Sequence, residues 1–187
     1  MITNQAQHTI DDLIAMPDDD KRYELIDGEI IERGTSSETH ALLGVWLILE
    51  LGFYIRTHQL GGRLRGADGT YQLDPANARV PDVSYSLPGN VAKLPKNIVF
   101  VPFAPDFVIE IKLPSNSAVG MRRLAARYIK AGAALVWTID PEEQVAHVYR
   151  PGEFALELSE ADVLSGYDVL PGFAISLPAM FAQIADV

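Results

Sequence analysis

The spacing of apolar and polar residues along this 187-residue chain predicts a succession of helices and strands. Apolar residues at i, i+3, i+4 and i+7 indicate amphipathic helices, whereas alternation with a period of two indicates half-buried strands. Two long helices are predicted, one that starts at the hydroxyl-rich caps of residues 35–38 and runs to about Thr57, and one at 118–131. The other predicted elements are a short helix at 9–16, hairpins at 23–32 and 62–73, strands at 79–86, 106–112, 133–139, 144–149 and 153–158, a loop at 88–104 and a helix near 178–185.

The order of the central elements predicts the fold class. A helix, three strands, a helix and a buried strand form an αβββαβ core, which is an α/β protein with a mixed sheet flanked by helices. The N-terminal helix and hairpin and the C-terminal strands extend this core. The first long helix is apolar on nearly every side from Ala41 onward, so we expect it to be buried. Asp27-Gly28 in the first hairpin favours a two-residue type I′ turn.

Length and composition exclude several classes of protein. The chain suits a single domain spanning residues 1–187, with no linker to divide it. It contains no cysteine, which excludes disulfides, thiolate metal sites and a thiol nucleophile. Residues 1–8 lack the pattern of a secretory signal, and the apolar run from Ala41 to Ile55 is too short to span a bilayer. We therefore expect a cytoplasmic protein with no membrane partner.

The net charge of −10 is unevenly distributed. Residues 1–32 carry −7 and residues 131–187 carry −8, whereas residues 33–130 carry +5. The local field around a cleft, not the total charge, decides what the cleft attracts. A nucleic-acid partner for the positive segment and a plain solvated surface at the acidic termini are both compatible with this distribution.

The predicted strand at 106–112 carries charges where a plain core strand would not. Because side chains alternate along a strand, Phe107, Ile109 and Ile111 share one face, and Glu110 and Lys112 lie on the other. A buried charge must be paired or must coordinate a metal. Successive Glu and Lys side chains on one face therefore indicate a functional site or an ion-pair cluster.

The predicted strand at 79–86 supplies a second acid, Asp82. Asp82 and Glu110 from neighbouring strands can hold Mg²⁺ or Mn²⁺, with the backbone carbonyl of Ile111 as a third oxygen. Lys112 can then stabilise an attacking hydroxide or the charge of the transition state. Two acids that hold a divalent ion, with a lysine beside them, suit the hydrolysis of a phosphodiester. A cross-strand ion-pair cluster of the same three side chains is the other interpretation.

The chain also resembles a known family. Pro81-Asp82 followed by Glu110-Ile111-Lys112 is similar to the Pro-Asp…(Asp/Glu)-x-Lys signature of the restriction-endonuclease-like superfamily. Matches to the Uma2 family of restriction endonucleases cover nearly the whole chain. They fall at residues 23–30, 40, 79–83, 107–115, 128–132, 136–141, 148–152 and 166–173. The resemblance implies a restriction-endonuclease-like αβββαβ core, a magnesium-dependent DNA endonuclease and a homodimer.

The resemblance also extends the candidate site. Glu24 and His40 match positions at the edge of the cleft, so both are candidate catalytic residues. A half-exposed hairpin acid and a core histidine are the alternative interpretations. Many relatives carry a lysine in the second long helix, where this chain has Leu124, so the chemistry would rest on Lys112.

A basic stripe follows the predicted active strand. Arg123, Arg127 and Lys130 lie at i, i+4 and i+7 of the second long helix, and they are candidates for contacts to the nucleic-acid backbone. An ordinary solvated helix face is the alternative. No base-reading motif such as a helix-turn-helix is evident.

These observations favour a metal-dependent DNA endonuclease in which Asp82 and Glu110 hold the ion and Lys112 assists water attack. A non-catalytic nucleic-acid-binding or regulatory module on the same fold is one alternative. A metallohydrolase of small phosphoesters, with His40 as a metal ligand, is the other.

Overall fold

The computed structural model describes residues 7–17, 19–159 and 161–186. The prediction that residues 1–8 lack a secretory signal falls mostly outside these ranges. The helices within them are α1 (Ile10–Ile14), α2 (Glu38–Thr57), α3 (Pro88–Val91), α4 (Ala118–Lys130) and α5 (Leu177–Phe181), and a 3₁₀ turn (Ala182–Ile184) follows α5. The strands are β1 (Tyr23–Ile26), β2 (Glu29–Glu32), β3 (Arg63–Arg65), β4 (Tyr71–Asp74), β5 (Asn77–Arg79), β6 (Val83–Ser86), β7 (Phe107–Ile111), β8 (Leu135–Asp140), β9 (Val145–Tyr149), β10 (Leu156–Ser159), β11 (Val163–Ser165) and β12 (Ala174–Ser176).

A six-stranded mixed sheet forms the centre of the fold. Its strand order is β10-β9-β8-β7-β6-β3, and β7 and β8 are the parallel pair among antiparallel neighbours. Parallel neighbours require a crossover connection, and α4 provides it. The elements α2, β3, β6, β7, α4 and β8 follow the predicted αβββαβ order, which confirms the α/β class with a mixed sheet between helices.

Helices cover both faces of this sheet. The buried row of α2 (Leu43, Leu47, Leu51 and Ile55) packs with Ile109 and other side chains from one face of the strands. The opposite face packs against α4 through Ala125 and Tyr128. Because strand side chains alternate, residues 108 and 110 of β7 face α4 and residues 107, 109 and 111 face α2.

Helix α2 is not buried on all sides, so that prediction is wrong. The exposed fractions of its outward residues are 41% for Leu42, 59% for Val45, 61% for Leu49 and 64% for Phe53. A helix that packs on one side of a sheet buries only one stripe, whatever the composition of its other faces. By length and composition α2 could also cross a membrane, which is weak support for a span because core helices of soluble proteins meet the same test.

A second sheet of four strands, in the order β2-β1-β5-β4, holds the N-terminal hairpin. Strands β1 and β2 pair antiparallel, which confirms the hairpin at 23–32. Asp27 and Gly28 between them both have positive φ angles, of 51° and 81°. Positive φ at both central positions is what a type I′ turn requires.

The hairpin predicted at 62–73 is wrong. Strand β3 pairs with β6 in the large sheet, whereas β4 pairs with β5 in the small one. The strand predicted at 79–86 is also divided, because β5 ends at Arg79 and β6 begins at Val83. Pro81 lies in the break, and its missing N–H cannot continue a ladder. The break moves the chain from one sheet to the other and leaves Asp82 at the junction.

Candidate active site

The two acids predicted to hold a metal come together at this junction. Strands β6 and β7 pair antiparallel with Val83 opposite Ile109. Asp82 directly precedes β6, and the same register continued by one step would bring it opposite Glu110, with Cβ atoms roughly 5 Å apart. The charge of Asp82 also acts on the pKa of Glu110, which agrees with this proximity. Both carboxylates are buried, with exposed fractions of 5% for Asp82 and 7% for Glu110. The predicted pair is therefore assembled.

Asp82 is held from three sides. Its Oδ2 accepts a hydrogen bond from the backbone N–H of Ile111 at 2.8 Å, and Nε2 of His40 lies 3.0 Å from the same oxygen. Its Oδ1 lies 3.6 Å from Nη2 of Arg33. His40 stands in the first turn of α2, so the N-terminal end of that helix forms one wall of the site. Asp82 thus has a fixed orientation, and among the described residues Oδ1 has only the longer ion-pair contact.

Glu110 is positioned from α4. The hydroxyl of Tyr128 donates a hydrogen bond to Oε1 of Glu110 at 2.7 Å, and both side chains are buried. Burial, followed by the negative charge of Asp82, raises the pKa of Glu110 well above its ordinary value, although Arg79 and the Tyr128 hydroxyl act against this shift. Burial and Glu110 together also raise the pKa of Tyr128. Two buried carboxylates that repel each other are the electrostatic setting in which a cation is favoured.

Glu24 stabilises the break between the two sheets. Its Oε1 accepts a hydrogen bond from the backbone N–H of Val80 at 2.7 Å, and its Oε2 lies 3.3 Å from Nη1 of Arg79. Burial lowers the pKa of Arg79, but Glu24, Tyr128 and Glu110 together outweigh this effect and the net shift is upward. The buried Nε of Arg79 has no hydrogen-bond partner among the described residues. Glu24 therefore holds the segment that presents Asp82.

Lys112 is placed apart from the two acids. Its Nζ lies 3.1 Å from Oδ2 of Asp140 and 3.1 Å from Oε2 of Glu142. The hydrogen bond to Asp140 is the main cause of its raised pKa. Lys112 follows the last residue of β7, where Ile111 pairs in parallel with Ile139, so the end of β8 is its nearest neighbour. Its charge is directed toward β8 rather than toward Asp82.

Asp82 and Glu110 line a cavity of about 950 Å³ between the small sheet, α2 and α4. Its lining carries four basic side chains, Lys21, Arg22, Arg33 and Arg79, and the further acids Asp20, Glu24 and Glu32. Leu124 of α4 lines it as well, whereas Lys112 does not. Further lining residues come from the loop before α4 and its first turn: Ser115, Asn116, Ser117, Gly120 and Met121. The cavity therefore combines the two buried acids with a lining of mixed charge.

The basic stripe of α4 is divided in the structure. Arg127 points to the hairpin turn, where its Nη2 donates to Oδ2 of Asp27 at 2.8 Å and its Nη1 contacts Asn77. Arg123 and Lys130 are exposed, and neither forms an ion pair within the described part of the chain. Arg123 and Lys130 are accessible to a ligand, whereas Arg127 connects two elements of the fold.

The donor set is compatible with a hard divalent ion. Across residues 7–17, 19–159 and 161–186, no cluster of three or more His, Asp or Glu side chains is arranged to enclose a metal. Mg²⁺ does not need such a cluster, because it keeps several waters and is commonly bound by one or two carboxylates. Asp82 and Glu110 supply the carboxylates, and the Ile111 carbonyl is a further hard oxygen. On the chemistry of its donors, the site fits Mg²⁺ or Mn²⁺.

The fold and the paired acids define a restriction-endonuclease-like α/β protein. The model of the Uma2 family, described as "Putative restriction endonuclease", matches residues 10–178, so the chain belongs to the Uma2 family. The chain is also similar to the crystal structure of a putative nuclease belonging to DUF820 from Anabaena variabilis ATCC 29413, with a TM-score of 0.82 and 22% sequence identity over 94% of this chain and 98% of that one. At that identity the likeness concerns the fold alone. No curated protein matches the sequence.

Three site residues were not anticipated from the sequence. Arg33 and Arg79 line the cavity beside the acids, and Tyr128 holds Glu110. The helical spacing of α4 placed Tyr128 on a buried face, which was a usable indication of a buried hydroxyl that needs a partner. Arg79 directly precedes the Val80-Pro81-Asp82 break, a weaker indication. Nothing in the local pattern distinguished Arg33 from a solvated arginine.

Proposed function

We propose that this protein is a divalent-metal-dependent DNA endonuclease that hydrolyses phosphodiester bonds as a homodimer. The observation that carries the proposal is the meeting of two buried acids, Asp82 and Glu110, in a cavity that Arg33 and Arg79 also line. Membership of the Uma2 family supports nuclease activity. The proposal also specifies Mg²⁺ or Mn²⁺ as the ion and DNA as the substrate.

Each residue of the site has a defined task in this reaction. Asp82 and Glu110 would hold the ion, which when bound supplies Lewis-acid charge that polarises the scissile phosphate. Tyr128 fixes Glu110 through its hydrogen bond, and His40 and the Ile111 N–H fix Asp82. Preorganised ligands reduce the reorganisation needed when substrate binds.

Glu24 supports the reaction from a distance, because its carboxylate satisfies the Val80 N–H and the Arg79 guanidinium. The exposed Arg123 and Lys130 can neutralise backbone phosphates of a bound duplex without reading its sequence.

The decisive experiment compares Asp82→Asn with wild type for Mn²⁺ binding by calorimetry and for cleavage of plasmid DNA in Mg²⁺ or Mn²⁺. Asn keeps the size of Asp82 and one acceptor oxygen, so folding should survive, and far-UV circular dichroism would verify this. Glu143→Gln is the matched control, since it removes an exposed charge outside the cavity. We expect loss of ion binding and cleavage in Asp82→Asn alone. Equal cleavage by all three proteins would refute the assignment.

A second candidate function is nucleic-acid binding without cleavage. The position of Lys112 favours it, because its Nζ pairs with Asp140 and Glu142 instead of facing the acids. Wild-type protein would then bind a duplex in Mn²⁺ and leave it intact over hours. Cleavage that depends on Asp82 would exclude this alternative.

A further inference from the structure

Helix α2 carries an exposed apolar surface that the core does not use. Leu42, Val45, Leu49 and Phe53, the α2 stripe, are spaced three or four residues apart and are between 41% and 64% exposed. This spacing places all four on one face, opposite the row that packs on the large sheet. The helix is about 30 Å long, and the stripe covers its central turns. A contiguous apolar face of this kind marks an interaction surface.

The charges at the two ends of α2 indicate what covers the stripe. Glu38 precedes Leu42 by four residues and Arg56 follows Phe53 by three, so both lie on the same face as the stripe. Both are exposed, and neither forms an ion pair within the described residues. If a second α2 crosses the first antiparallel about the middle of the stripe, Glu38 of each copy meets Arg56 of the other. The surface is thus complementary to itself.

We propose that two copies of this chain pair through the α2 stripe in an antiparallel, two-fold arrangement. The inference rests on the homodimer of the proposed function and names its surface. His40 faces Asp82 on the opposite side of α2, so the pairing leaves both cavities open. An anionic membrane is a poor occupant, because α2 has two acids and one arginine and the chain carries −10 overall.

The test measures mass by sedimentation equilibrium across micromolar concentrations, without reference to cleavage. Wild type and Phe154→Lys, which changes a fully exposed apolar residue elsewhere, should both form dimers of the 20.5 kDa chain. Leu49→Lys, at the centre of the stripe, should be monomeric. Glu38→Lys and Arg56→Glu should each weaken the dimer about threefold to tenfold, and the double exchange should restore it.

Several results would overturn this inference. A wild-type monomer at all concentrations, or a dimer that survives Leu49→Lys, would show that the stripe is not the interface. Failure of the double charge exchange to restore pairing would exclude the antiparallel register. Binding of wild type to phosphatidylserine vesicles that is lost in Leu49→Lys would assign the stripe to a membrane instead. None of these measurements depends on nuclease activity.

An independent observation concerns the cation beside the acids. Nζ of Lys112 is occupied by Asp140 and Glu142, whereas the guanidinium of Arg33 lies 3.6 Å from Oδ1 of Asp82 and lines the cavity. At that distance the contact is an ion pair and not a hydrogen bond. Arg33 is therefore a cation adjacent to Asp82, one of the two proposed metal ligands.

Arg33 has the geometry to take a phosphate. Its Nη1 donates to the backbone carbonyl of Ala67 at 3.1 Å, which anchors the side chain, and the other N–H groups of the guanidinium donate no hydrogen bond among the described residues. Its side chain is 23% exposed, so part of it reaches the open cavity. A guanidinium presents paired donors that match phosphate oxygens, and its charge persists at any physiological pH.

We infer that Arg33, and not Lys112, contacts the scissile phosphate and stabilises the charge that develops on it. This inference deepens the proposed function. Arg33 and Asp82 are neighbours, so a phosphate bound next to Asp82 would lie within reach of the guanidinium. Arg79 is nearby but already pairs with Glu24, which leaves Arg33 as the better donor.

The experiment compares Arg33→Met, Arg33→Lys and Lys112→Met with wild type in two assays. In Ca²⁺, fluorescence anisotropy of a labelled duplex measures binding, and we expect Arg33→Met to bind about tenfold more weakly while Lys112→Met binds as wild type does. In Mg²⁺, Arg33→Met should lose about 10²- to 10³-fold in turnover at saturating DNA, with partial recovery in Arg33→Lys. Mn²⁺ titration by calorimetry should give an unchanged stoichiometry.

The two assays separate the inference from the proposed function. If wild type cuts nothing, the nuclease proposal fails, and the anisotropy result still decides whether Arg33 contacts phosphate. Wild-type binding by Arg33→Met would overturn the inference whatever the cleavage result. Loss of activity in Lys112→Met with normal activity in Arg33→Met would show that Lys112, and not Arg33, stabilises the charge on the scissile phosphate.

Discussion

The hydrogen bond between Tyr128 and Glu110 permits a quantitative test of how the site is held. Tyr128→Phe removes one oxygen and leaves the ring in the packed face between α4 and the sheet. Oε1 of the buried Glu110 then loses the donor at 2.7 Å. A buried polar group left without its partner costs about 1–3 kcal/mol, which exceeds the small gain from no longer burying the hydroxyl.

We therefore expect the free energy of unfolding to fall by about 1–3 kcal/mol in Tyr128→Phe. For a protein of this length, each kcal/mol lowers the melting temperature by about 2–4 °C. The assay is urea denaturation of the metal-free protein in EDTA, read as a change in midpoint with an unchanged slope.

Tyr149→Phe is the matched control, because the buried hydroxyl of Tyr149 has no hydrogen-bond partner among the described residues. Its removal should leave the midpoint unchanged or raise it slightly. If both variants shift the midpoint equally, the Tyr128–Glu110 hydrogen bond does not stabilise the fold and the reasoning is wrong. A changed slope in Tyr128→Phe would indicate a different unfolded or native state rather than a lost hydrogen bond.

Three further predictions concern stability. Leu47→Ala should lower the free energy of unfolding by about 2–5 kcal/mol in urea, since Leu47 is fully buried under the sheet. Ser117→Ala should cost about 0.5–2 kcal/mol and reduce helicity, since the Ser117 hydroxyl caps α4 at the N–H of Gly120. The hydrogen bond from Arg127 is the main cause of the lowered pKa of Asp27. The stability that the ionised Asp27 contributes is therefore fully present above about pH 4, and it is lost as the pH falls through the lowered pKa. Because Asp27 is largely exposed, Asp27→Asn should remove well under 1 kcal/mol at pH 7 and flatten the acid side of the stability profile.

The predicted elements were accurate where the pattern is local. The caps and apolar spacing of α2 and α4 placed both helices, and Asp27-Gly28 placed the first hairpin. The predictions were wrong where pairing is distant: β3 pairs with β6, and β4 with β5. The alternation of side chains in a strand shows which residues share a face, but it does not show which strand lies beside it. The break at Pro81 divides the two sheets. The short β11–β12 pair was not predicted.

The sequence by itself determined the two acids and the chemistry that they suit. Alternation put Glu110 on the polar face of its strand, and the strand predicted at 79–86 supplied Asp82, so two acids that suit a hard ion were foreseeable. The tertiary structure alone decided which cation accompanies them and which side of α2 meets solvent. Those outcomes depend on contacts between distant segments, such as Glu24 with Val80 and His40 with Asp82, which are 56 and 42 residues apart. Periodicity describes the environment of a side chain along its own element, whereas its partners are chosen by how the elements pack.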